Sequence, residues 1–109
     1  VVRPIPRRLL TDSIIYQEYA GTESFGDTFL EPETIDNVRF EPSAVIRIDG
    51  NGEQIQTQGR IFLDALNTPQ FKPLKIKSKV TFNGNEMRVH ASNSYSSFNK
   101  IHHLEIEVV

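Results

Sequence analysis

Apolar and polar residues alternate with period two along much of this chain, and turn-forming dipeptides break the alternation at short intervals. In a half-buried strand successive side chains point to opposite faces, so this pattern reads as strands laid against one core. Over residues 74–82, Leu74, Ile76, Val80 and Phe82 take one parity while Lys75, Lys77, Lys79 and Thr81 take the other. A strand is predicted there, with the lysines on its wet face. Asn83, Gly84 and Asn85 follow, and Asn-Gly supplies the positive φ angles of a tight turn. Met87, Val89 and Ala91 then alternate with Glu86, Arg88 and His90, completing a hairpin. Near the end Leu104, Ile106 and Val108 alternate with His103, Glu105 and Glu107, which predicts a last strand whose charged outer edge discourages unwanted pairing.

A second hairpin is marked by its turn. Val45 to Ile48 runs into Asp49, Gly50, Asn51 and Gly52, and the chain returns through Ile55, Thr57, Gly59, Ile61 and Leu63, with Gly59 predicting a bulge or bend. Ser13 to Tyr19 and Thr34 to Phe40 read as further strands. Ala20 to Pro32 lies between them as a long acidic loop (20–33 at its widest), and loops of that length are commonly functional. Leu66 to Pro73 and the polar stretch Ser92 to Lys100, which carries Tyr95 and Phe98, read as connectors. No window of about 11 residues shows a helical stripe. Pro4 and Pro6 keep the start extended, and Arg7 to Thr11 has room for one turn at most. The expectation is a single all-β domain over 1–109, a small six- or seven-stranded antiparallel β-barrel with long loops and an extended N-terminal arm (1–11), a sandwich being the open alternative.

Composition narrows the chemistry. Among 109 residues there is no Cys, which excludes a disulfide framework, a thiolate zinc site and a Cys nucleophile, and fits a reducing compartment. The apolar runs are far too short for a membrane span, and the first residues lack the apolar stretch of a signal peptide. The chain opens on Val1 rather than Met, so a trimmed or processed sequence is expected. Twelve Lys+Arg against 14 Asp+Glu give a net charge of −2, but the charges are segregated. Arg3, Arg7 and Arg8 open the chain, then Asp12, Glu18, Glu23, Asp27, Glu31, Glu33 and Asp36 come before the next cation at Arg39. Such a separation suits an acidic surface meeting a basic one on a neighbouring molecule, an acidic surface that repels nucleic acid, or simply a solvated face.

Candidate chemistry is sparse. His102 and His103 precede Glu105 and Glu107, but adjacent strand residues face opposite ways, so both imidazoles reach one ion only across a distorted backbone. His102 has inward parity and His103 shares a polar face with the glutamates. Asp64, beside Ile61 to Leu63, is expected to be partly buried and to need a hydrogen-bond partner. The turn 49–52 resembles a fragment of a calcium loop without its remaining ligands. No catalytic, cofactor or metal set is assigned, and an enzyme is not expected. A nucleic-acid-binding barrel would use Lys72 to Lys79 with Phe71 and Phe82, although Phe82 has core parity.

The segment Arg3 to Thr11 leading into the first strand resembles the start of the small minor capsid proteins of tailed bacteriophages and prophages. Asp36 to Ser43, Gly59 to Asn67, Lys79 to Glu86 and His102 to Glu107 fit the same pattern in order. The resemblance implies a non-enzymatic virion protein at the head–tail junction, present in the bacterial cytoplasm during assembly. It further implies a connector, head-completion or stopper-like subunit, monomeric in isolation or ring-forming, between portal or adaptor and tail. DNA would pass through the ring without sequence-specific binding, and neither a membrane nor a cofactor would be involved. Tail completion or tail tube proteins, and the nucleic-acid-binding barrel, are the alternatives. The candidate subunit contacts are Arg3, Arg7, Arg8, Leu9 and Leu10 on the arm and Glu23, Asp27, Glu31 and Glu33 on the loop. The hairpin tip Asp49, Gly50, Asn51, Gly52 and Glu53 is the candidate for facing the channel, though it is short for a plug.

Overall fold

A computed structural model describes residues 4–48, 50–97 and 100–109; Arg3, Asp49 and Phe98, which figured in the sequence reading, lie outside the described residues. Among the described residues ten strands form: β1 Asp12–Gln17, β2 Tyr19–Glu23, β3 Gly26–Phe29, β4 Glu33–Pro42, β5 Ile46–Ile48, β6 Gln54–Gln56, β7 Gly59–Asp64, β8 Lys79–Phe82, β9 Asn85–Ser97 and β10 Lys100–Val108. Six of them close a barrel in the order β1-β4-β7-β10-β9-β8, every neighbouring pair antiparallel. The pairs β2-β3 and β5-β6 form two small sheets of their own. Among the described residues no helix is long and apolar enough to cross a membrane.

The alternation does what it was expected to do wherever both neighbours of a strand are present. Ile14 and Tyr16 of β1, Ile61 and Leu63 of β7, Met87 and Val89 of β9, and Leu104, Ile106 and Val108 of β10 are all buried. With Ile35, Val38, Leu74 and Val80 they fill the interior, so the barrel is a packed core and not a pore. The Asn83-Gly84 turn joins β8 to β9, with φ of 50° and 82° at its two central residues. The last strand, expected at an edge, lies inside the barrel between β7 and β9, so its glutamates line an outer face and not an edge.

Several boundaries differ from the expectation for physical reasons. Residues 74–82 are not one strand: only Lys79–Phe82 pair, Lys77 adopts a φ of 74°, and Ile76 points outward while Leu74 is buried. The lysine run is therefore a turn wrapped around Ser78, whose hydroxyl is buried against Tyr16 Oη (3.3 Å) and accepts from the Tyr19 N–H (2.9 Å). The stretch 20–32 is not a loop but holds most of the hairpin β2-β3, and Ser92 to Ser97 continues β9 along β10 instead of connecting. Both were missed because much of their side-chain surface is wet on either face, so no apolar parity marks them. The first predicted strand ends at Gln17, and Tyr19 already belongs to β2.

Gly59 opens β7 in regular register, opposite Pro42 and Val108, and so is no bulge; the chain passes from the small β5-β6 sheet into the barrel just before it, across Thr57-Gln58. What the glycine provides is space. A Cβ there would lie 2.5 Å from Phe40 Cζ and 3.0 Å from the Glu41 carbonyl oxygen. Phe40 in turn stacks on Phe82, with ring centroids 4.6 Å apart, closing one end of the core.

Candidate functional site

The N-terminal arm is bound to its own barrel. Asp64, at the end of β7 and fully buried, accepts the Ile5 N–H on Oδ1 (2.9 Å) and the Leu66 and Asn67 N–H groups on Oδ2 (3.0 and 2.9 Å). The Asn67 amide donates back to the Ile5 carbonyl (2.9 Å). Beyond Pro6 a single 3₁₀ turn, Arg7–Leu9, closes through Leu9 N–H to the Pro6 carbonyl, and Leu10 is buried. The arm thereby walls a groove of about 380 Å³ on the outside of the barrel, lined by Ile5, Leu9, Arg39, Glu41, Phe62 and His103. Leu9 is half exposed, Arg7 and Arg8 are exposed, and neither arginine has an ion-pair partner among the described residues.

The histidines do come together, across an irregularity of the backbone. A shift of register between Ile101 and His103 brings His102 Nδ1 within 2.8 Å of His103 Nδ1. His103 Nε2 reaches Glu105 Oε2 (2.9 Å), Glu105 Oε1 accepts from Arg60 (3.3 Å), and the His103 ring stacks on Tyr95 at 4.9 Å. With Nε2–H given to Glu105, His103 Nδ1 becomes the acceptor for His102. These groups form a chain of hydrogen bonds along the barrel surface. Among the described residues no set of three or more His, Asp or Glu is placed to hold a metal ion.

On the far side, β2-β3 rests on cations. Lys75 and Lys77 sit over the Tyr19 ring (5.8 and 5.6 Å), and Lys79 and Arg88 over Phe29 (4.8 and 4.7 Å). Asp27 accepts from the Thr22 hydroxyl (2.9 Å) and from Arg88 (3.2 Å); these two bonds, the first the larger, hold its carboxyl below the usual range. Glu33 pairs with Lys72 at 2.6 Å. Asp27 and Glu33, two of the acids expected to meet a neighbour, are thus engaged within the chain. Glu23 and Glu31 remain exposed without an ion pair among the described residues. Phe25, which sequence reasoning passed over, stands at the hairpin apex 81% exposed. Its signal was present: a large apolar residue between Ser24 and Gly26, the one φ-positive glycine at the turn.

The third projection, β5-β6, is anchored by Thr57. The buried hydroxyl accepts the Val45 N–H (3.1 Å) and donates to the Ser43 carbonyl (3.0 Å), while Arg47 pairs with Glu107 at 2.9 Å. Ile46 and Ile48 face outward, more than 60% exposed, and Gly50 to Glu53 form an exposed tip. Phe71 and Phe82, which a nucleic-acid strip would need for stacking, are packed against the core.

No curated protein matches the chain. The barrel is filled by its own side chains, and exposed apolar residues are carried on the arm and the two small hairpins. Residues 6–108 match the family model described as "Minor capsid protein". The chain belongs to the minor capsid protein family, a family of structural components of the phage virion.

Proposed function

We propose that the chain is a non-enzymatic, ring-forming subunit of the head–tail connector, of the head-completion or stopper-like kind, located beneath the portal in the assembled virion. Family membership supports a virion part. One observation supports a connector within it: Leu9, Phe25, Leu30, Ile46 and Ile48 are exposed on the arm and the two small hairpins, outside a barrel already satisfied internally. Apolar surface kept out of the core in this way marks protein–protein contacts. Since the barrel is solid, DNA would pass through the centre of a ring of copies, with the β5-β6 tip at residues 50–53 turned toward the channel.

The test is electron microscopy of virions and of particles from phage carrying a null allele. The expected result is a ring of this chain at the portal vertex, and null particles with filled heads that leak DNA and lack tails. Localisation along the tail tube, or across the capsid shell, would overturn the connector reading; the first of these would favour a tail-side subunit.

A further inference from the structure

We infer that adjacent copies join head to tail, Phe25 of one copy seating in the groove beneath the N-terminal arm of the next. The inference rests on the ring reading above and specifies its interface. Three observations carry it.

The first is placement. In the closed order β1-β4-β7-β10-β9-β8, β8 lies opposite β7. Lys79 of β8 and Arg88 of β9 hold β2-β3, whereas Phe62 of β7 floors the groove. Knob and groove are therefore on opposite sides of the barrel. Complementary patches on one face make a two-fold dimer, but patches on opposite faces make a heterologous contact that repeats and, with a suitable rotation, closes into a ring.

The second is fit. The apolar lining is Ile5, Leu9 and Phe62, and a volume of about 380 Å³ accommodates an aromatic ring, since benzene occupies a cavity of about 150 Å³. Phe25 is presented on a hairpin already braced by four cations over two rings, so little ordering is left to be done on docking. Central aromatic anchors in apolar pockets carry most of the affinity of an interface.

The third is charge. Arg7 and Arg8 precede Leu9 in the turn that walls the groove, and Glu23 flanks Phe25; all three are exposed and lack ion pairs among the described residues. Like-sign encounters between two arms or two hairpins are disfavoured, and the arm-to-hairpin encounter is steered.

The absence of cysteine provides the experiment. Ser24→Cys and Arg8→Cys are introduced together and separately, leaving Phe25 and Leu9 in place, and assembled heads are oxidised. The double variant is expected to give a ladder of dimers, trimers and higher species, and each single variant only monomer. Phe25→Ala, at an exposed site, is expected to keep the circular dichroism spectrum of the fold while reducing incorporation into heads by at least about tenfold. Dimers from Ser24→Cys alone would establish a two-fold contact and overturn the inference. No ladder from particles in which microscopy shows the ring would overturn this interface and leave the ring reading intact. No ring at all would overturn both.

Discussion

The two small hairpins solve one problem in opposite ways. A two-stranded sheet outside a barrel is marginal by itself and has to be anchored. β5-β6 is tied down mainly at its base, by the buried Thr57 hydroxyl and the Arg47–Glu107 pair, and it leaves Ile46 and Ile48 exposed. β2-β3 is held on the barrel surface at two levels, by Lys75, Lys77, Lys79 and Arg88 over the paired Tyr19 and Phe29 at its open end and by Arg88 on Asp27 near its turn. The first anchor is short-range, and its buried Thr57 hydroxyl is dry and indifferent to salt, with only the Arg47–Glu107 pair open to screening. The second is spread out, wet and electrostatic, so individual members are dispensable while the whole responds to solution conditions. The N-terminal arm, fixed by buried Asp64, belongs with the first kind.

Substitutions should separate the two kinds of anchor, the dry ones costing more. Asp64→Ala removes the acceptor for three backbone N–H groups at a fully buried position, and should cost at least about 3 kcal/mol in urea unfolding, with the Ile5 amide losing its exchange protection. A loss under about 1 kcal/mol would remove the distinction between the anchors. Thr57→Val keeps the shape and deletes the hydroxyl, leaving the Val45 N–H without that acceptor; about 1–2 kcal/mol is expected. Faster exchange should be concentrated in Ile46 to Ile48, with β2-β3 unaffected.

Arg88→Ala removes one cation from Phe29 and the partner of Asp27, and at a partly exposed site should cost less than about 1 kcal/mol. Amide exchange at Thr22 and Thr28 should quicken, and about 1 M salt should diminish the difference from the parent; a salt-independent effect would make the contact one of packing. The smallest effect is that of pH. The folded carboxyl of Asp27 titrates below its ordinary value of 3.8, so its contribution is complete above that value and is lost as pH falls through the folded one. Exchange in β2-β3 should be flat from pH 7 to 5, once corrected for intrinsic rates, and should rise only below about pH 4. Loosening already at pH 6 would implicate another group.

The same contrast accounts for what the sequence disclosed. β4, β7, β8, β9 up to Ala91, and β10 were legible because a barrel strand has one dry face, and Asn83-Gly84 encodes its own turn. β2-β3 and the 92–97 end of β9 were not, since a largely solvated hairpin needs no apolar parity. Residues 74–78 misled in the other direction: the parity is there, but Lys77 takes a positive φ, and only Lys77 and Ser78 reach β9, through Val89, outside the regular β8-β9 ladder. The histidine contact depends on a register shift, which parity reasoning cannot anticipate. Arg7, Arg8 and Glu23 were visible as segregated charge. The groove was not, because it is assembled from Ile5, Leu9, Arg39, Glu41, Phe62 and His103, which only the closed barrel brings together.

Closure also imposes a schedule on synthesis. Tyr16 and Ser78, which meet across the seam between β1 and the segment entering β8, are 62 residues apart in the chain. As the ribosome delivers the protein, β1 can pair with β4 early, but its second neighbour does not exist until β8 emerges, and β7 must wait longer still for β10. Non-local pairing of this kind is slow to form. The barrel therefore shuts only once β10 has emerged, and until then Ile14 and Tyr16 have no finished core to enter.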